Sequence, residues 1–401
     1  MAILNLPMRI AIDCSFEHPA LYSSAMDNLR ALAHWLPQLA PEHDFLIPVS
    51  RTLRPHFAEF ECRNLKLVGG MVANDHRLLR IAAQQTLLPW RLRRAGCDVL
   101  FAYGNVCPLW SGPPVVLKIN TLHHLVADLD IGWARRRYRS VAIAASARRA
   151  VRVVANSIYT KTEICRHMGL PQDKVTVIYE AAEDRFGAEV TSAPAPAWTP
   201  PRPYLLYPAG LWPYKNQTTL LTAFARLPPA MRAQVDLVLA GRDDAEHAPD
   251  PSGEFPTYRA RLEHMAAALG IANQVHFPGY LPIAAMPALF HGARMLVFPS
   301  LAETFGKPLV EAMRCGCPIV ASRATVMPEI VADAGVLVDA TDPDQWVAAI
   351  RQVWESESLQ EQLRDRGRRR ARQFSWEAQA RASLELLLEC GSAGGATAVA
   401  S

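Results

Sequence analysis

Short apolar runs alternate with longer amphipathic stretches through most of this chain. Residues 8–13 read as a strand, and the apolar spacing over about 24–35 reads as a helix. Residues 115–119, 151–155 and 175–178 are further strand-like runs, the last two separated by a short helical stretch. Such alternation is the rhythm of βαβ units around a parallel sheet.

The rhythm breaks at 193–203, where the sequence APAPAWTPPRP is too rich in proline for a helix or a central strand. It then restarts. Strands are expected at 204–207, 235–240, 275–277, 295–298, 319–321 and 336–338, with helices over 218–227 and 258–269. Beyond Asp344 the pattern is helical. The expected fold class is α/β, with two Rossmann-like doubly wound domains. The first covers 1–197 and the second 198–373. A C-terminal helix over 374–391 then crosses back to the first domain. The tail 392–401 has little to bury and is expected to be disordered.

Composition agrees with two soluble domains. The chain has 401 residues, half of them hydrophobic and a fifth charged. No window reaches the ~18 apolar residues of a membrane span. The N-terminus lacks the basic start and cleavage site of a secretory signal, so a cytoplasmic location is expected. The eight cysteines are scattered, and Cys315-Gly-Cys317 has neither zinc nor redox spacing, so buried reduced thiols are expected.

Charge is uneven. Residues 1–200 carry 23 Lys and Arg against 17 Asp and Glu, a net +6, whereas residues 201–401 carry 19 against 21, a net −2. The basic half suits a phosphate-rich or membrane-surface partner. No nucleic-acid motif accompanies the charge, and no nucleic-acid partner is expected. The stretches Arg91–Arg94 and Arg135–Arg139 stand beside Trp90, Trp133 and Tyr138. Arg and aromatic residues on one face suit peripheral contact with the inner membrane surface, and a solvated helix face is the plainer reading.

Candidate chemistry concentrates at 298–313, where Phe-Pro-Ser-Leu-Ala-Glu303-Thr-Phe305-Gly306-Lys-Pro308-Leu309-Val-Glu311-Ala-Met follows a strand. Pro308 suits the first turn of a helix. A helix start beyond a strand's carboxyl end offers N–H groups and a positive dipole to a phosphate, and Gly306 allows close approach. Glu303 precedes the helix and Glu311 lies about one turn inside it. A carboxylate accepts two hydroxyls, as sugar and ribose diols require. Taken alone, Glu303 reads more readily as a helix-start acid and Glu311 as a solvated helix residue; the whole segment together favours the ligand-facing reading.

The run E-T-F-G-x-P-L-V-E-A-M, with Gly316-Cys-Pro318-Ile-Val-Ala-Ser and Pro328-Glu329-Ile330 after it, resembles the signature of glycosyltransferase family 4. The family is retaining and has the two-domain GT-B architecture, with domains facing across a cleft. Upstream, Tyr207-Pro-Ala-Gly210-Leu-Trp-Pro-Tyr-Lys215-Asn216 resembles the family's first donor-domain loop, whose lysine contacts the donor diphosphate. Many members carry arginine where this chain has Gly210. Gly241 resembles the strand-end glycine beside the donor, Arg242 is a further diphosphate candidate, and Tyr280 lies in the short loop that reads the base. The first domain begins Met8-Arg9-Ile10-Ala-Ile-Asp13, like the family, but lacks the glycine-rich loop that usually follows. Asn120-Thr-Leu-His123 resembles the motif whose histidine lies near the reaction centre, and Asn156-Ser157-x-x-Thr160 resembles one that opens a helix.

The resemblance implies catalytic roles for Glu303, Lys215 and His123. It implies donor contacts from Asn216, Gly241, Tyr280, Phe305, Gly306, Leu309 and Glu311. The implied partners are a nucleotide-diphosphate sugar donor, as substrate, and a glycan or polyprenyl-linked acceptor. No cofactor and no metal are expected: Lys215 and the helix start answer the leaving diphosphate, and Asp342-Pro-Asp344 falls in a linker. The expected function is retaining transfer of a hexosyl group, mannose-type by similarity of the W-P-x-K-N loop, in surface-polysaccharide synthesis. A nucleotide-sugar 2-epimerase of the same architecture and a non-catalytic nucleotide-sugar-binding protein are the alternatives.

Overall fold

The structure, a computed structural model, describes residues 6–17, 24–72, 77–110, 112–122, 133–187, 198–242, 250 and 252–399. Among these, two parallel sheets form. The first contains β1 (Arg9–Asp13), β2 (Asp44–Ser50), β3 (Leu65–Met71), β4 (Val99–Tyr103), β5 (Val115–Ile119), β6 (Arg152–Ala155) and β7 (Val175–Val177), in the order β3-β2-β1-β4-β5-β6-β7. The second contains β8 (Tyr204–Tyr207), β9 (Asp236–Ala240), β10 (Val275–Gly279), β11 (Met295–Phe298), β12 (Ile319–Ser322) and β13 (Val336–Val338), in the order β10-β9-β8-β11-β12-β13. Strands β4, β5, β9, β11 and β12 are buried along their whole length. Helices cover both faces of such sheets, which explains continuous apolar runs where a one-sided sheet would alternate.

Helix ends follow local chemistry. Ser157 Oγ accepts the Thr160 N–H at 3.0 Å, and Gly169 closes the Ile158–Met168 helix at φ 64°. Asp342 accepts the N–H groups of Asp344 and Gln345 at 3.0 and 3.3 Å, so Asp342-Pro-Asp344 is a helix cap. Six of the eight cysteines are buried; Cys62 is exposed and Cys97 half-buried.

Three strands go beyond the sequence pattern. Pro48 sits inside β2 and Gly69-Gly70 inside β3, residues that weaken a strand signal. The β2–β3 register shifts between Pro48 and Ser50, where proline has no N–H to give the ladder. In β4 a short apolar run carries no period to identify it.

The described residues fall into two compact units: those up to Glu180 with 376–399, and those from 181 to 375. The division comes at 180, earlier than the expected 197, because the next residues already pack on the second unit. Phe186 meets Phe290 edge-on at 5.8 Å, and Arg314 reaches Asp184 at 2.7 Å. The proline-rich residues 193–197 lie outside the described residues. The last helix runs Trp376–Val399 and belongs to the first unit, where Ala380, Leu384, Leu387 and Cys390 join the core around Leu29, Leu36 and Phe101. Residues 392–399 are therefore helical, correcting the expected disorder. Extending a formed helix needs no new nucleus, and alanines alternate with the glycines there. No helix among the described residues is long and apolar enough to cross a membrane.

Buried polar groups tie that helix to the first sheet. Gln379 Nε2 donates to Asn28 Oδ1 at 2.7 Å, and Asn28 Nδ2 donates to Glu180 Oε2 at 3.4 Å. Asn156 Nδ2 donates to Glu180 Oε1 at 3.3 Å. Lys118 Nζ lies 3.9 Å from the same oxygen and is 1% exposed. Burial pulls the Lys118 pKa down to about 8, with Glu180 opposing the fall.

Between about pH 8 and the ordinary lysine value, the unfolded chain holds a proton that folded Lys118 has released. Stability from this group therefore rises with pH across that window. The first unit should gain roughly 2–4 kcal/mol relative to Lys118→Met over that range. Thermal unfolding of both proteins across pH measures the gap. A constant gap would mean that Lys118 titrates as in water.

Candidate active site

The second sheet sends the carboxyl ends of β10, β9, β8, β11 and β12 to one edge. The chain moves from β8 outward to β9 and β10, then returns to β11 on the other side of β8. Strand order reverses between β8 and β11, and in open α/β sheets ligands bind at such a reversal.

Lys215 comes from the β8 side. Strand β8 leads into the turn Pro213–Lys215 and then the helix Gln217–Ala225. Asn216 joins them at φ 62°, a conformation asparagine tolerates. Its Nδ2 donates to Pro299 O at 3.1 Å and Ala340 O at 2.6 Å. Lys215 Nζ donates to Glu303 Oε1, across the reversal point. The two side chains are 12% and 9% exposed. The ammonium also lies over the rings of Tyr214 and Phe298, at 5.2 and 5.7 Å. Burial pushes the Lys215 pKa down, but Glu303 and Tyr214 outweigh it and hold the ammonium above the usual lysine value.

Glu303 sits on a loop fixed from both neighbouring strand ends. Asn216 holds Pro299 O, Leu301 N donates to Tyr214 O at 2.8 Å, and Ser322 Oγ donates to Ser300 O at 2.6 Å. Glu303 N donates to Thr325 Oγ1 at 3.1 Å. Thr325 has φ 50°, which a β-branched residue rarely adopts. Beneath lies Tyr207, whose hydroxyl accepts from Gln217 Nε2 at 3.1 Å and donates to Gly210 O at 3.4 Å. Burial first, and Glu303 next, push that phenol well above its ordinary pKa. Sequence reading missed Tyr207 and Thr325 because neither residue type announces a role. A φ value is not written in a side chain.

The helix Lys307–Cys315 starts directly after this loop. Gly306 occupies its N-cap at φ 77°, and no side chain caps it. The positive end of the helix therefore faces the strand edge without a built-in anion. Phe305 and Leu309 brace that start: Phe305 is buried edge-on against Phe374 at 5.8 Å, and Leu309 is fully buried. Their side chains pack in the core, so a donor contact from these two positions falls to their backbone. Glu311 is buried at 6% exposure, one turn inside the helix.

Gly241 serves backbone packing. A Cβ there would stand 2.0 Å from Ala209 O and 2.9 Å from Gly210 N. The glycine is thus needed where two strand-end loops meet, and Leu211 N bonds Arg242 O at 3.2 Å beside them. Gly210, where many family members have arginine, is less enclosed: a Cβ would lie 3.1 Å from the Trp212 side chain at Nε1. Arg242 stacks on the half-exposed Tyr280 ring at 5.3 Å, which joins the ends of β9 and β10.

In the first unit, Asp13 is buried and accepts Ser15 N at 2.9 Å and Gln84 Nε2 at 3.0 Å, shaping the turn after β1. His123 lies outside the described residues.

Gly241→Ala tests the loop contact. The new methyl group meets backbone, which cannot step aside alone, so denaturant unfolding of the second unit should lose roughly 1–3 kcal/mol. An unchanged midpoint would mean that the two loops are farther apart.

Residues 28–186 match the family model described as Glycosyltransferase Family 4, and residues 192–370 match Glycosyl transferases group 1. The O-antigen chain mannosyltransferase B of Escherichia coli is 31% identical over 250 residues, 61% of this chain and 62% of that one. The match thus spans less than two thirds of that relative's length. The sucrose-phosphate synthase of Thermosynechococcus elongatus superposes with a TM-score of 0.72 at 18% identity, covering 96% of this chain and 100% of the other. The HepE protein of Anabaena, solved with UDP and glucose, superposes with a TM-score of 0.66 at 19% identity, covering 95% and 99%. With its two parallel-sheet α/β domains and both matching modules, the chain belongs to the family 4 glycosyltransferases of the GT-B fold.

Proposed function

We propose that this protein is a retaining glycosyltransferase that moves a hexosyl group, mannose-type, from a nucleoside-diphosphate sugar to a glycan or polyprenyl-linked acceptor in surface-polysaccharide synthesis. The observation that carries this reading is the Lys215–Glu303 pair at the β8–β11 reversal, beside an uncapped helix start. Negative charge grows on the diphosphate as the sugar departs, and a preorganised cation and helix dipole stabilise it. An ammonium has three N–H donors, so Lys215 can turn one to phosphate while Glu303 keeps another. Glu303 and Glu311 accept hydroxyls of the donor, and the leaving diphosphate takes the acceptor's proton. On this account no divalent ion is needed, and EDTA leaves the rate unchanged. The mannosyl choice is supported by the name of the E. coli relative, and the nucleotide by the UDP of the Anabaena neighbour.

A membrane-facing acceptor has its own support. In the first unit the helices Arg77–Gln85 and Leu87–Arg94 pack together, and one loop links Arg77–Gln85 to the helix Trp133–Arg149. Gln85 Nε2 donates to Cys107 O at 3.0 Å, and Cys107 N donates to Ser146 Oγ at 3.1 Å. Trp90, Trp110 and Trp133 are 55%, 82% and 78% exposed, and Leu78 and Leu79 are exposed too. Neither 76–97 nor 131–162 contains an acidic residue. Aromatic groups among arginines fit an anionic headgroup layer at the cytoplasmic side of the inner membrane.

Thermal shift with a panel of nucleoside diphosphates and their sugars tests the donor. A binding partner at ten times Kd stabilises by about 1.4 kcal/mol. Lys215→Ala should lower turnover by roughly 10²-fold or more. Turnover equal to wild type would remove the diphosphate role, and donor conversion without acceptor would favour the epimerase. Arg91, Arg93 and Arg94 changed together to Ser should abolish co-sedimentation with anionic vesicles; equal binding to neutral vesicles would contradict the membrane face.

A further inference from the structure

We propose that Thr325 is a positioning residue that sets the Glu303 carboxylate against Lys215 through its hydroxyl. The inference rests on the proposed donor site and adds a residue to it. Thr325 lies beyond β12, next to the β11 loop that carries Glu303. Its φ of 50° falls where glycine is at ease and a β-branched side chain is strained. Yet the chain holds threonine here. The strain has a local counterpart: Oγ1 accepts the Glu303 N–H at 3.1 Å and reaches Met327 Sδ at 3.8 Å, which orients the hydroxyl hydrogen away from Glu303. A glycine would relieve the backbone and lose this acceptor.

Three further ties hold the start of this loop, at Pro299 O, Ser300 O and Leu301 N. The Thr325 hydroxyl is the tie at the glutamate itself. It fixes the peptide from which the carboxylate projects, two residues beyond the Leu301 tie. Loss of that tie frees the carboxylate to turn from the ammonium, and the charge that faces the donor diphosphate changes with it. A misplacement of an ångström at such a centre is costly in rate.

Three variants separate strain from hydroxyl. Thr325→Ser keeps the acceptor, Thr325→Val keeps the branching without it, and Thr325→Gly removes both strain and acceptor. Amide hydrogen exchange over 299–305, read by mass spectrometry, reports the tie without any need for turnover. Exchange should accelerate at least tenfold in the Gly and Val variants and stay within about twofold of wild type in Ser. The Gly variant should melt no lower than wild type. With a donor in hand, kcat should fall at least tenfold in Gly and Val, KM should change less, and Ser should retain activity. Wild-type exchange and kcat in Thr325→Gly would overturn the proposal. If wild type binds no nucleoside diphosphate, the donor-site reading fails, while the exchange result still decides whether Thr325 holds Glu303.

Discussion

A nearly buried ion pair between residues 88 apart in sequence organises the strand-end edge of the second domain where the donor site is proposed. Lys215 and Glu303 leave water to meet, and each alone would be a costly buried charge. Their attraction repays that cost only when both are held in place. The architecture around them does this holding. The reversal of strand order puts the two carrier loops side by side, and four hydrogen bonds join the Glu303 loop to the strand ends on either side. Flexible loops would let each charge return to solvent and leave no site.

The same rigidity explains the backbone conformations collected along this edge. Asn216, Gly306 and Thr325 all have positive φ, and each stands just before a helix. Gly241 has no side chain because the β8 loop occupies its space. Together these features assemble a surface of fixed dipoles around the Lys215 ammonium. Preorganisation of this kind is what charge stabilisation during transfer demands. The first unit shows a parallel arrangement at its own strand ends, where Glu180, Asn28, Asn156 and Gln379 form a buried polar cluster with Lys118. That cluster fastens the returning C-terminal helix.

Much of this was legible in the sequence because several local signals coincided. Strand ends, helix starts, Gly306, Pro308 and the paired glutamates all pointed to one edge, and the structure brings Lys215 and Glu303 into contact there. Other features were not legible. Phe305 and Leu309 sit inside the motif, but only packing against Phe374 and the helix interior shows that their side chains belong to the core. Gly241 read as a strand-end glycine beside the donor, and the contact of two loop backbones that also requires a glycine there was not visible. Pro48 and the Gly69-Gly70 pair hid β2 and β3, since their local preferences oppose a strand that tertiary burial nonetheless enforces. The helix through 392–399 depends on continuation from a buried segment and not on its own composition.

The central claim is that Lys215 and Glu303 act as one unit. A double-mutant cycle on the stability of the second unit, with Lys215→Met, Glu303→Gln and both together, tests it most directly. Each single change leaves a buried group without its partner, so the double variant should be more stable than the sum of the singles implies, by about 1–3 kcal/mol. Additive losses, with no coupling between the two positions, would contradict the account.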